Sequence, residues 1–84
     1  MQNNLLNMKI KLLFFGNISD ITGTGEMNYT DAADTELLDL DLKNKFPQLK
    51  NFTYRIAVNK EIINKNTKLK DGDVIAFLPP FSGG

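Results

Sequence analysis

Few side chains in this sequence can do chemistry. None of its 84 residues is cysteine or histidine, which removes thiolate nucleophiles, disulfides and the commonest general base and metal ligand. Serine–histidine and cysteine–histidine pairs are therefore impossible. Phosphate-cradling glycine motifs are missing as well: Gly23-Thr24-Gly25 has no third glycine and no strand-to-helix setting. The carboxylates are scattered. Asp39 and Asp41 stand two apart in a helical pattern and do not share a face. Asp71 and Asp73 bracket Gly72, and a cation there is conceivable, but no further ligands follow at loop spacing and a tight turn explains the trio. No metal site is predicted. Glycosylation triplets at Asn17, Asn28 and Asn51 mean little without a secretion signal.

One group remains, at the end of the sequence, LPPFSGG over 78–84. Glycine carries the least bulk, so Gly83 and Gly84 can thread a channel too narrow for other residues and take the dihedrals a partner demands. Pro79 and Pro80 do the opposite and favour a semi-rigid, extended exit. Phe81 is an apolar anchor worth about 1.5–3 kcal/mol when buried in a partner. Ordering each flexible residue costs ~1–2 kcal/mol, which the partner's contacts must offset. The result is an unobstructed α-carboxylate. A carboxylate is a poor electrophile, but as a mixed anhydride with AMP it accepts a nucleophile, sulfide or persulfide included. The product is a thiocarboxylate on a protein stalk. The alternative, an ordinary frayed terminus, stays open on composition alone.

The remaining residues must build the platform for that tail. At 42% hydrophobic and 24% charged, the composition is that of a soluble globular protein, and the length fits one domain that buries ~60–65% of its unfolded surface. Ten basic and ten acidic residues cancel, so the basic excess of a nucleic-acid binder is absent. No apolar run is long enough to span a bilayer and no signal-peptide pattern is present, so neither nucleic acid nor membrane is an expected partner and the cytoplasm is the expected compartment. Residues 1–7 read as a tail outside the fold, 8–78 as the domain and 79–84 as the extended C-terminal segment.

Alternation over 8–15 predicts a strand with Met8, Ile10, Leu12 and Phe14 on a core face and Lys9, Lys11, Leu13 and Phe15 on the other. Asn17 is the expected N-cap of a short helix stopped by Gly23, and a second strand follows at 26–30 with Met27 and Tyr29 on one face. The main helix is expected within 34–49: Asp34 or Thr35 caps it, Asp31, Asp34 and Glu36 favour its N-terminal dipole, and Lys43 and Lys45 sit near its end. Leu38, Leu42 and Phe46 form its apolar stripe, and Pro47 marks its end. Residues 54–58 and 61–63 read as a hairpin around Asn59-Lys60. Leu69 is a lone anchor in a polar connection, Asp71-Gly72 is a turn, and 74–78 is the closing strand, with Ile75 and Phe77 opposite to Val74, Ala76 and Leu78. One long helix across one face of a mixed sheet is an α+β arrangement that leaves the other face for water or a partner.

The stretches KIKLLFFGNISDITG, IAVNKEII and LKDGDVIAFLPPFSGG, with the helix between them, resemble the small subunit of molybdopterin synthase. That family is a ubiquitin-like β-grasp sulfur carrier, and the resemblance covers 8–84. It implies a cycle in which an ATP-dependent adenylyltransferase, similar to ubiquitin-activating enzymes, adenylates Gly84. A sulfur donor then makes the thiocarboxylate, and the tail enters the large subunit of the synthase, where its sulfur helps build the dithiolene of molybdopterin. Two carriers and two large subunits form a heterotetramer in such a system. The chain itself is then not an enzyme; it holds no permanent cofactor, and ATP is used by the activating enzyme. Gly84 bears the chemistry, while Phe81, Ser82 and Gly83 thread the channel.

The resemblance also makes the first and last strands neighbours. Leu13, Phe15, Val74, Ala76 and Leu78 then share one outward face, with Ile62 close by and Pro79 and Pro80 at its edge. Such a patch suits an interface, although scattered surface apolar residues are common. Many family members carry an arginine where this chain has Ser19 and an aromatic where it has Leu78. Three rival readings stay open: a carrier for thiamine or tRNA thiolation, a ubiquitin-like modifier that conjugates to lysines, and a binding module with an incidental Gly-Gly.

Overall fold

The computed structural model describes residues 8–80. In chain order the elements are β1 (Ile10–Phe14), α1 (Asn17–Thr22), β2 (Glu26–Tyr29), α2 (Thr35–Lys45), a 3₁₀ turn (Pro47–Asn51), β3 (Arg55–Val58), β4 (Glu61–Ile62) and β5 (Val74–Leu78). The sheet runs in the order β2-β1-β5-β3-β4. β1 and β5 lie parallel at its centre, and β2, β3 and β4 add antiparallel neighbours. With α2 packed on one face, this is the ubiquitin-like β-grasp.

Period-two burial fixes which face meets the helix. Met8, Ile10, Leu12 and Phe14 are all buried, as are Ile75 and Phe77 of β5. Leu38 and Leu42 of α2, Ile18 of α1, Leu49 of the 3₁₀ turn and Leu69 of the polar connection complete the core. Leu69 anchors its segment as expected, and its amide donates to the Ala33 carbonyl. Phe77 is the hub, with Phe14 at 5.4 Å and Tyr54 edge-on at 5.7 Å between ring centroids.

Several local expectations need correction. Gly16, not Asn17, occupies the N-cap of α1, and no side chain caps that end; Ser19 Oγ instead donates to the Gly16 carbonyl at 2.7 Å. The reason is geometric: the chain leaves β1 with φ 60° and ψ −140° at Gly16, a conformation suited to glycine and not to a capping side chain. Gly23 does stop α1, in the left-handed conformation. α2 ends at Lys45, so Phe46 is not its third stripe member but its C-cap residue, half-buried against the core. Pro47 disfavours helical geometry at the residue before it and opens the 3₁₀ turn that buries Leu49. Asp34 caps α2 through its carboxylate, accepting from the Leu37 amide at 2.9 Å. Asp31 lies three residues before the cap, with a positive φ of 69°, and is not part of the helix end.

Tyr54 pins α2 to β3. Its hydroxyl donates a short hydrogen bond to Asp39 Oδ1, and the Lys43 ammonium lies 3.0 Å from Asp39 Oδ2 and 5.6 Å over the tyrosine ring. Burial, the hydrogen bond to Asp39 and the negative charge of Asp39 together push the phenol well above its ordinary range. Because the folded state holds this proton more tightly than the unfolded chain, the stabilisation is complete below pH ~10 and declines as the pH rises above that value. Urea denaturation is therefore expected to show wild type losing stability between pH 9 and 11 more steeply than Tyr54→Phe. At pH 7 the substitution costs about 1 kcal/mol. Parallel pH profiles for the two proteins would contradict this role of Tyr54.

Candidate functional site: the tail exit and the open sheet face

The face of the sheet away from α2 carries two rows of side chains. Strand register places Leu13 beside Ala76, Ala76 beside Ala57, and Ala57 beside Ile62, so one row crosses four strands. The second row lies at the end where the chain leaves β5. Leu78 pairs with Arg55 on one side, and on the other Phe15 follows directly after the Phe14–Phe77 pair, its amide donating to the Phe77 carbonyl at 3.2 Å. Val74 continues the patch beside Lys11. Leu13, Phe15, Ile62, Val74, Ala76 and Leu78 thus come together on one face, as expected.

Their exposure is uneven. Phe15 is 45% and Ile62 43% exposed, whereas Leu13, Val74, Ala76 and Leu78 are half-buried. The sequence reading overlooked Ala57. It is buried to 4% exposure yet stands outside the core cluster, because it forms the floor of the outward row beneath Ile62 and its neighbours. Its signal was present in the alternation of 54–58, where residues 55 and 57 take the parity opposite to Ile56. Exposure alone does not single out this face, since Leu37 and Leu40 on α2 are 53% and 57% exposed. Contiguity across four strands and position beside the tail do.

Gly16 stands where β1 turns into α1. A Cβ at this position would lie 3.0 Å from Pro79 Cγ, and the pairing of φ 60° with ψ −140° strains any residue that carries one. The turn from β1 into α1 therefore braces the start of the tail by offering a surface with no side chain. Pro79 is half-buried and Pro80 is exposed. Gly16→Ala is expected to cost about 1–3 kcal/mol from the dihedral alone, and the contact with Pro79 adds to it. An unchanged urea midpoint would contradict the bracing. The helix residue Ser19, where the resemblance leads one to expect arginine, serves the α1 N-terminus through its bond to Gly16.

Behind the patch, two sequence motifs that seemed separate form one network. Asn59 and Lys60 both have positive φ, 50° and 76°, as a tight two-residue hairpin turn requires. Asn59 Nδ2 donates to Asp73 Oδ1 at 2.9 Å, and the Val74 amide donates to Asn59 Oδ1 at 2.9 Å. Asp73 is buried and also accepts from the Lys70 amide at 2.7 Å, while Asp71 Oδ1 accepts from the Lys9 amide at 2.8 Å. These carboxylates close turns and fix where β1 and β5 begin, and that registers the outward rows. Among the described residues, no three carboxylates gather as a metal site. Phe81, Ser82, Gly83 and Gly84 lie outside the described residues, as does the expected tail at 1–7.

Residues 12–84 match the ThiS family. The chain is 36% identical over 83 residues to the molybdopterin synthase sulfur carrier subunit of Chlamydomonas reinhardtii, a comparison that covers 92% of this chain and 100% of that protein. Among solved structures it is similar to the complex of subunits 1 and 2 of molybdopterin-converting factor from Helicobacter pylori, with 35% identity, a TM-score of 0.70, and 92% and 100% of the two chains covered. It is also similar to small archaeal modifier protein 1 from Methanosarcina acetivorans, with 28% identity, a TM-score of 0.77, and 92% and 97% covered.

Proposed function

The chain belongs to the ThiS family, and on that premise we propose that it is the sulfur carrier of a molybdopterin synthase. The observation that carries this reading is the pairing of an LPPFSGG segment with an apolar sheet face at its exit, in a chain similar to named sulfur carrier subunits along nearly its whole length. The α-carboxylate of Gly84 attacks the α-phosphorus of ATP on an activating enzyme and releases pyrophosphate. Hydrosulfide then adds to the acyl carbon and expels AMP, which leaves the thiocarboxylate. A persulfide donor gives an acyl disulfide, from which a second thiol releases the same product. The chain's own contribution is placement: Gly16 and Pro79 aim the tail, and the outward rows dock the receiving protein.

The subunit complex from Helicobacter pylori supports a large synthase subunit as the partner that takes the tail. In this reading the large subunit holds the active site and the carrier is not itself catalytic; the assembly is a heterotetramer in the cytoplasm. No helix among the described residues is long and apolar enough to cross a membrane.

The archaeal modifier supports a second reading, conjugation of the same activated glycine to lysines. Reconstitution separates the two. The chain is incubated with activating enzyme, ATP and sulfide, and then with the large subunit and the cyclic pyranopterin phosphate. Dithiolene formation is expected. Its absence, together with adducts of this chain on lysines in cell extract, would favour the modifier.

A further inference from the structure

The chain is neutral overall, but its charges are not evenly placed. On the helix side of the sheet, α2 with its cap carries Asp34, Glu36, Asp39 and Asp41 against Lys43 and Lys45, a net negative balance. Strand parity puts Lys9, Lys11 and Arg55 on the opposite, open face, where Glu26 pairs with Lys11 at 3.3 Å. Arg55 is exposed, is the sole arginine of the sequence, and makes no ion pair among the described residues. It stands directly across from Leu78, in the row that Phe15 completes and from which Pro79 departs.

A protein that covers Phe15 and Leu78 must also cover or flank this guanidinium. A charge desolvated without a partner weakens docking, and a guanidinium fork is met most directly by a carboxylate that accepts two hydrogen bonds. We propose that the surface of the large subunit that receives the tail is apolar with an acidic rim, and that one of its carboxylates pairs with Arg55. This rests on the carrier reading above. The pair sets the position of β5 as its last residue enters the interface, so Arg55 acts on recognition and tail register and not on the chemistry. The excess positive charge of the face, complementary to that rim, also accelerates encounter in a salt-dependent way.

The test measures binding of the full chain to the large subunit of the same cells, by titration calorimetry and stopped flow at low and high salt. Wild type, Arg55→Glu, Arg55→Lys and Phe15→Asp are compared after matched urea midpoints show that each folds. Arg55→Glu is expected to bind at least ~10-fold more weakly, with a flatter salt dependence of the association rate. Arg55→Lys is expected to lie between it and wild type, and reversing one acidic residue of the large subunit is expected to restore Arg55→Glu. If Phe15→Asp weakens binding while Arg55→Glu binds like wild type, the pairing is wrong and the apolar interface stands. If wild type does not bind, or Phe15→Asp has no effect, the interface fails and takes the pairing with it. An Arg55 effect confined to adenylation by the activating enzyme, or a face that instead joins two copies of this chain, overturns the assignment to the large subunit.

Discussion

Deleting Gly84, or adding one residue after it, is expected to abolish sulfur transfer and leave the fold intact. The two halves of this expectation have separate physical grounds. In the proposed sulfur-carrier role, the chemistry is placed on the Gly84 carboxylate, which must reach a nucleophile inside a partner's site. A displacement of one residue moves it by ~3.3 Å or more, and misplacement of even 1 Å can cost ~100-fold in rate. The described core lies earlier in the chain. Phe77 is the last core residue of the sheet, Leu78 is half-buried on the open face, and Pro80 is already exposed. The extended and truncated proteins should therefore share the urea midpoint of wild type. An extended chain that transfers sulfur at the wild-type rate, with the added residue still present by mass, would contradict the role of Gly84.

The largest stability effect is expected at Phe77→Ala. The ring is fully buried, packs against Phe14 and Tyr54, and joins both central strands to β3 and the helix layer. Truncating a buried phenylalanine costs about 3–5 kcal/mol. A domain of this length holds about 4–13 kcal/mol in total, so the variant should lose a large share of its stability and unfold at a much lower urea concentration than wild type. Phe15→Ala is the control on the other face. Phe15 is 45% exposed, and its truncation should change stability by less than about 1 kcal/mol while weakening partner binding. Equal destabilisation by the two would mean that the open face is part of the core and not a docking surface.

Much of this arrangement is readable from residue order because two periodicities are strong. The alternation at 8–15 and 74–78 separates core from open face correctly at every position the structure describes, since each strand is apolar enough on one side to have a single favourable orientation. Asp34 was identifiable as a cap because an acidic residue precedes a helical run. The errors lie where tertiary geometry decides. Asn17 has the chemistry of a cap, but the turn out of β1 needs the dihedrals that Gly16 supplies. Phe46 keeps helical spacing, but Pro47 ends the helix before it.

The candidate site was legible as a set of outward residues and not as a surface. Ala57 is too small to attract notice in one strand, and only the registers β5–β3 and β3–β4 reveal it as the floor beneath Ile62. Arg55 has no distinguishing signal within its own strand, and its pairing with Leu78 is what places it at the tail exit. The bond between Asn59 and Asp73 joins residues 14 apart in sequence, and nothing in local propensity signals it. Contacts of this kind come from strand order, and strand order came from resemblance more than from pattern.

A sulfur carrier of this kind must hold its sulfur on Gly84. The most direct measurement is the mass of the C-terminal peptide of this protein isolated from its own cells; Met1, Met8 and Met27 all lie outside a peptide cut after Lys70, so sulfur-for-oxygen exchange there is not confused with methionine oxidation. Exchange localised to Gly84 is expected. A plain carboxylate, unchanged after incubation with ATP, a sulfide source and cell extract, would contradict it.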